Sequence, residues 1–174
     1  MKVRLPHPLW ILLAVLLLFL IAAGLGIAVP HYRQQTALRE IERLRGNVSI
    51  SAGGPGWLRR WLGDERMQPF DTVSTVDLAR SRVTDGDLIC LIHLRGLRRL
   101  NFWTAHISDA GLVHLRGLTD LRRLDLDDTG ITDAGLVHLY PLTHLERVTM
   151  RATLVTDAGI AELQRRLPDT EIVK

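Results

Sequence analysis

Residues that could carry out catalysis or bind a metal are few in this 174-residue chain, and they form no known constellation. No lysine follows a glycine-rich phosphate loop, and neither the G-x-S-x-G turn of serine hydrolases nor the H-E-x-x-H helix of zinc proteases occurs. Cys90 is the single cysteine, which excludes a disulfide within the chain and a cysteine-based zinc site. The sequence therefore predicts a protein that is not an enzyme and needs no cofactor.

Four aspartates recur at intervals of 24 residues, a regularity that could indicate a ladder of calcium ligands. Each one directly follows a threonine or serine and precedes an apolar run, which is typical of the first turn of a helix. A carboxylate there also suits the positive end of the helix dipole. The cap is either the aspartate or the hydroxyl residue before it, Thr132 or Asp133 in the third copy, and we therefore interpret as helix-cap positions and not as calcium ligands the residues Asp85, Asp109, Asp133 and Asp157.

Two histidines, His114 and His138, occupy one equivalent position of the same repeat, which holds Cys90 and Glu162 in the flanking units. Stacked repeats could bring these side chains within metal-binding distance of each other. Equivalent positions on the outer face of a helix are more often plain surface. The sequence therefore favours no metal site at this position.

A repeat of 24 residues determines the fold prediction. Leu124-x-Leu126 has the period of two that is typical of a short strand, whereas Leu136, Leu139 and Leu142 predict the inner face of a helix. Each unit therefore reads as strand, turn, capped helix and return loop. Because one unit cannot bury its own apolar face, neighbouring units must stack. The capped segments lie at residues 83–88, 107–112, 131–136 and 155–160.

The segment from Leu121 to Leu136 reads L-x-x-L-x-L-x-x-T-x-I-T-D-A-G-L and resembles the leucine-rich repeat. It is most similar to the bacterial type with a T-D-A-G-L signature, close to the ribonuclease-inhibitor-like and cysteine-containing subtypes. The resemblance covers residues 73–174 and implies an α/β fold: a short solenoid with a parallel sheet on its concave face and helices on its convex face. A position that is usually asparagine in that family is here Ser81, Ala105, Thr129 and Thr153, and Arg166 replaces a leucine in what reads as a terminating repeat.

Residues that alternate with the inward leucines predict the best candidate surface, the concave face of the sheet. Parallel strands lie about 4.8 Å apart, so equivalent arginines would form a ladder. Exposed tryptophan with arginine is typical of binding hot spots. The same pattern is compatible with arginine stems that shield the sheet, with Trp103 packed flat among them. The candidate protein-binding residues are Arg99, Asn101, Trp103, Arg123, Asp125, Asp127, Arg147, Thr149 and Arg151.

The amino-terminal region contains the run Leu9–Val29, 21 residues without a charge or a proline. As a helix it would be about 31 Å long, close to the hydrocarbon thickness of a bilayer. It predicts an uncleaved transmembrane anchor after a tail of residues 1–8, and hence a single-pass membrane protein with its repeats outside the cytoplasm. A cleaved signal peptide is the alternative, since Ala22-Ala23-Gly24 offers small residues to a peptidase.

Residues 30–46 then predict a juxtamembrane helical stalk, either solvated or forming a short coiled-coil contact between copies. Residues 47–82 predict an amino-terminal cap and the first strand, and residues 83–174 the repeats. Trp57 and Trp61 share one face of a short helix that Gly63 ends. We expect the two tryptophans in the core of the cap, with an anchor at the membrane interface as the alternative.

The charge balance argues against a nucleic-acid partner. Of 22 basic residues, Lys2 and Arg4 precede the apolar run, which leaves 20 against 19 acidic residues in the rest of the chain. Nucleic-acid binding needs clustered positive charge. The predicted function is a membrane-anchored, non-enzymatic module that binds an unidentified protein or peptide on its concave sheet and contacts the bilayer through residues 9–29. The alternative is a structural envelope component that associates with itself.

Overall fold

The computed structural model of the chain describes residues 14–17, 29, 32–53, 56–67 and 70–174. The described residues form a six-stranded sheet with the strands in chain order. The first strand is antiparallel to the second, and each later strand is parallel to its predecessor with a step of 24 residues. The strands are β1 (Asn47–Ser51), β2 (Thr72–Asp77), β3 (Arg99–Asn101), β4 (Arg123–Asp125), β5 (Arg147–Thr149) and β6 (Glu171–Val173).

The core lies behind this sheet, where the inward side chains of successive strands stack in register. Leu100 aligns with Leu124, and Leu124 with Val148, and all three are at most 2% exposed. Burying a leucine contributes about 2 kcal/mol, and each unit completes that burial only by contact with the next. The structure is therefore a mixed α/β solenoid, as the repeat predicts.

Short helices and turns form the opposite, convex side of the described repeats. They follow each strand and return the chain to the next one. The helices are α1 (residues 32–43), α2 (Gly56–Leu62), α3 (Asp64–Met67), a 3₁₀ helix Asp85–His93, α4 (Asp109–Leu112) with a 3₁₀ turn Val113–Leu115, α5 (Asp133–Leu136) and α6 (Asp157–Arg166).

These helices differ from the prediction in length. We expected one helix to carry Leu136, Leu139 and Leu142, but α5 ends at Leu136 and the chain continues in turns. Leu139 and Leu142 are nonetheless fully buried. The three-residue spacing of the leucines explains both facts, because turns of three residues place positions i and i+3 on the same side without a continuous α-helix.

Three of the recurring aspartates join one repeat to the next. Asp109 accepts hydrogen bonds from the backbone N of Thr132 at 2.8 Å and from its Oγ1 at 2.6 Å. The helix cap is the hydroxyl of Thr132, which accepts from the backbone N of Ala134. Of the two candidates for the cap, the threonine is confirmed and the aspartate is wrong, because its carboxylate crosses to the following unit. The equivalent pairs are Asp85 with Ser108 and Asp133 with Thr156.

Because these carboxylates join the repeats, we expect the fold to lose stability in acid. The hydroxyl and the backbone N–H of Thr156, helped by the charge of Lys174, lower the pKa of Asp133. Its contribution to stability is therefore present above the pKa of the unfolded chain, about 4, and is lost as the pH falls through the lowered folded value. Urea denaturation at pH 7 and at pH 3 should show a smaller acid-induced loss for Asp133→Asn than for the parent chain. The surface variant Asp120→Asn should behave as the parent, and equal losses in all three proteins would contradict this role.

Hydroxyls stand in three of the four turns at the position where the repeat that this sequence resembles usually has asparagine. Ser81 Oγ donates to the carbonyl of Leu78 at 2.7 Å, and Thr129 Oγ1 donates to that of Leu126 at 2.6 Å. Thr153 makes the equivalent bond, and Ala105 has no group that could make it. The residue before each of these positions adopts a positive φ of 52–56°: Arg80, Thr104, Asp128 and Ala152.

The region before the repeats differs from the predicted stalk. Residues 32–43 are helical, as expected, but Ala37 and Ile41 are buried in the core that the repeats share. The helix α1 thus covers the first repeat and is not solvated along its length. The sequence also gave no indication of β1, which pairs with the edge of β2.

The short helix α2 ends as predicted, at Gly63, whose φ is +83°. The prediction that Trp61 lies in the core of the cap is wrong, because its side chain is 78% exposed. The side chain of Trp57 lies outside the described part. Arg59 ties α2 to the sheet instead, because it forms an ion pair with Asp71 and donates to the carbonyl of Gly53 at 2.9 Å.

The predicted transmembrane segment, Leu9–Val29, lies outside the described residues except for residues 14–17 and 29, and so does the tail of residues 1–8. Among the residues that the structure describes, no helix combines the length and the apolar character needed to cross a bilayer. The prediction of a single-pass membrane protein with extracytoplasmic repeats is therefore corrected, because this finding does not support it.

Candidate binding face on the concave sheet

The concave face carries two rows of side chains that run across the strands. In the first row Arg99 aligns with Arg123, and Arg123 with Arg147. Thr75 and Glu171 stand at the two ends of this row. The neighbouring row contains Asp77, Asn101, Asp125 and Thr149, and the two rows line a groove of about 300 Å³.

The arginines of the first row differ in their pairing. Arg147 forms an ion pair with Glu171 at 3.3 Å. The adjacent Arg122 forms an ion pair with Glu146 at 2.6 Å. The ion pairs found among the described residues include neither Arg99 nor Arg123, and they do not include Arg98. A second depression, of about 290 Å³, lies between Arg98, Arg99, Arg122, Arg123 and Glu146. Arg98, Arg99 and Arg123 therefore form a group of adjacent arginines without a carboxylate partner among the described residues.

The acidic and amide side chains of the second row hold the ends of the strands. Asp125 Oδ1 accepts from the backbone N of Asp127 at 3.0 Å, and Asn101 Oδ1 from that of Trp103 at 2.9 Å. Asp127 Oδ1 in turn accepts from the backbone N of Arg151 at 2.7 Å. Three predicted binding residues thus have a structural role in the strand ends.

Trp103 stands apart from the arginine row. The guanidinium of Arg80 lies over its ring, 4.1 Å from the ring centre, a geometry typical of a cation–π contact. The tryptophan is 39% exposed, and neither it nor Asp127 nor Arg151 lines the groove. Arg80 was not among the predicted residues, although its position in the sequence, one residue past the one that aligns with Trp103, could have indicated the contact.

Thr149, one of the predicted binding residues, has a hydroxyl without a hydrogen-bond partner among the described residues. Its Oγ1 is buried at the groove. Because this atom is inaccessible to solvent, it adds no hydrogen-bonding group to the surface of the groove.

The convex position shared by Cys90 and His138 has the character of a packed surface. Burial raises the pKa of the Cys90 thiol to about 11, so the reactive thiolate is scarce near neutral pH. Burial, with the nearby charge of Arg116, lowers the pKa of His138 and favours its neutral form. Within the described ranges, no three side chains of histidine, cysteine, aspartate or glutamate are grouped to hold a metal.

The strand register, the 24-residue step and the buried leucines define the fold as a short leucine-rich-repeat solenoid, here with arginines on its concave sheet. Solved structures that match the chain include a leucine-rich-repeat protein of Leptospira interrogans, at 17% sequence identity and a TM-score of 0.41, over 49% of this chain and 21% of that one. An internalin of Listeria monocytogenes matches at 18% identity and a TM-score of 0.42, over 58% of this chain and 34% of that one.

The chain thus spans about a fifth and about a third of the length of these two proteins. No protein-family model matches the chain, and no curated protein matches it.

Proposed function

We propose that this protein is a non-enzymatic binding module that holds a segment of a partner protein on its concave sheet. The observation that carries the proposal is the pair Arg99 and Arg123, which stand side by side over the groove and have no carboxylate partner among the described residues. Arginine is enriched in the energetically important part of protein interfaces.

The arrangement is costly for a surface with no partner. Two unit charges held as close as the strand spacing of about 4.8 Å would repel each other by about 1 kcal/mol even in water. The free energy of placing them together would be recovered by an anionic group between them. Trp103, which is 39% exposed, adds an apolar surface on the same side of the sheet.

The size of the face favours a segment of chain over a whole folded surface. The five parallel strands span about 19 Å across the sheet, and three residues of each strand span about 10 Å. That area is far below the roughly 800 Å² that each partner contributes to a standard interface. We therefore expect an extended stretch of polypeptide, bound with modest affinity.

A photo-crosslinking amino acid with a small aliphatic diazirine side chain, which does not fill the groove, tests this function in the full-length chain. Introduced at Thr75 in the groove, it should form an adduct with a partner in the producing cell, and introduced at Val113 on the convex side it should not. The substitutions Arg99→Ala and Arg123→Ala should remove the adduct, whereas Arg116→Ala, at an exposed position that ends the convex 3₁₀ turn, should leave it. Equal adducts at Thr75 and Val113 would overturn the proposal.

A further inference from the structure

We infer that the bound segment is acidic, with carboxylates that lie over the arginines of β3 and β4. This inference rests on the proposed function and adds the chemical class of the partner. Its basis is the distribution of charge between the two ends of the strands on the concave face. Within the groove, arginines line the end where the strands begin, and Asp77 and Asp125 line the end where they finish; Arg151, just past the end of β5, lies outside the groove.

The local carboxylates do not neutralise the basic end. Glu146 is paired with Arg122 and Glu171 with Arg147, so each of these acids already serves one arginine. Three arginines at the start of β3 and β4 are left without a carboxylate partner in the described part of the chain: Arg98, Arg99 and Arg123.

The aspartates at the other end do not compete for these arginines. Asp77 Oδ1 accepts from the backbone N of Ala79 at 3.0 Å, and Asp125 Oδ1 accepts from Asp127 N. Each such bond holds the carboxylate at the strand end, about two residues or 7 Å along the strand from the arginine row. The basic row therefore remains open to carboxylates from outside.

The spacing of the arginines indicates how the segment would lie. Arg99 and Arg123 are one strand apart, about 4.8 Å, and a chain that crosses the strands advances about 3.3 Å per residue. Acidic side chains at alternate positions, about 6.6 Å apart, would bridge the gaps between guanidinium groups with small side-chain adjustments. Lysine-rich segments would meet unpaired positive charge and be excluded.

The test measures fluorescence anisotropy of labelled 12-residue peptides with the full-length protein. A peptide of alternating glutamate and serine should bind, and its glutamine–serine and lysine–serine counterparts should bind at least about tenfold more weakly. The affinity for the glutamate peptide should fall as salt is raised from 50 to 200 mM, since these charges are exposed.

Variants of the protein locate the binding. The double substitution Arg99→Gln/Arg123→Gln should lower the affinity for the glutamate peptide about tenfold, and Arg116→Gln should leave that affinity unchanged. Thr75→Trp retains every charge and fills the groove, so it should weaken binding as well. Equal loss with Arg116→Gln, or tighter binding of a 12-nucleotide oligothymidylate than of the peptide, would overturn the inference by showing a general attraction for polyanions.

Failure of the inference and failure of the proposed function give different results. If the glutamine peptide binds as well as the glutamate peptide, and Thr75→Trp weakens both, the groove binds polypeptide and the acidic class is wrong. If no peptide binds while the crosslink at Thr75 still forms, the inference again fails and the function stands. If the double substitution changes neither peptide binding nor the crosslink, and Thr75→Trp leaves peptide binding unchanged, both are overturned.

Discussion

Replacing Gly135 with alanine is expected to lower the free energy of unfolding by about 2 kcal/mol, although it adds a single methyl group. Gly135 is buried in α5. A Cβ at this position would overlap Oδ1 of Asp109 and lie 3.0 Å from its Cγ. The carboxylate cannot turn aside without breaking its two hydrogen bonds to Thr132, which join the repeats. Urea denaturation followed by far-UV circular dichroism measures the loss.

A matched substitution and a double-mutant cycle separate this clash from a general effect of alanine. Gly117 has open space where its Cβ would be, so Gly117→Ala should be neutral or stabilise the fold by up to about 1 kcal/mol. In the background of Asp109→Ala the cost of Gly135→Ala should fall to less than half, because the obstructing carboxylate is gone. An unchanged cost in that background would show that the glycine is needed for another reason.

This contact gives a physical reason for the T-D-A-G-L pattern that spacing alone did not provide. The threonine caps its own helix, the aspartate binds the next unit, and the glycine leaves room for the aspartate of the preceding unit. From one sequence, a carboxylate at the start of a helix is equally compatible with a bond inside its own turn. The periodicity therefore predicted the stacking, and the partner of Asp109 required coordinates.

The strand register was predictable for a related reason. A constant step of 24 residues leaves one alignment in which every inward leucine meets another, and Leu100, Leu124 and Val148 occupy it. The alignment of Arg99 with Arg123 follows at once. Which side chains of the face are already engaged was not predictable, because the bond from Trp103 N to Asn101 depends on the local turn at the strand end.

The region before the repeats was predicted least well, and its residues show why. Leu38, Ile41 and Leu44 are spaced three apart, which fits a solvated helix, a contact between copies, or a helix packed on its own chain. The structure selects the last, since Ile41 is fully buried. The strand β1 is short and mostly polar, so its place is set by pairing with β2 and not by its own hydrophobic pattern.

Truncation of Leu124 to alanine is expected to have the largest effect on stability, about 3 kcal/mol. Leu124 is 2% exposed and lies between Leu100 and Val148 in the middle of the ladder. Its removal leaves a cavity that both neighbouring strands line, and neither can close it without breaking the backbone pairing to the other. The control is Leu154→Ala, at a side chain that is 69% exposed, which should cost less than about 0.5 kcal/mol.

The form of the unfolding transition also tests the stacked arrangement. In a solenoid each unit is stable only with its neighbours, so a defect at the centre weakens the interfaces on both sides. Leu124→Ala should therefore shift a single cooperative urea transition to lower concentration with its slope preserved. A second transition, with part of the helical signal retained at the parent midpoint, would show instead that the units on either side of β4 fold independently, and the shared core would then be the wrong description of what holds them together.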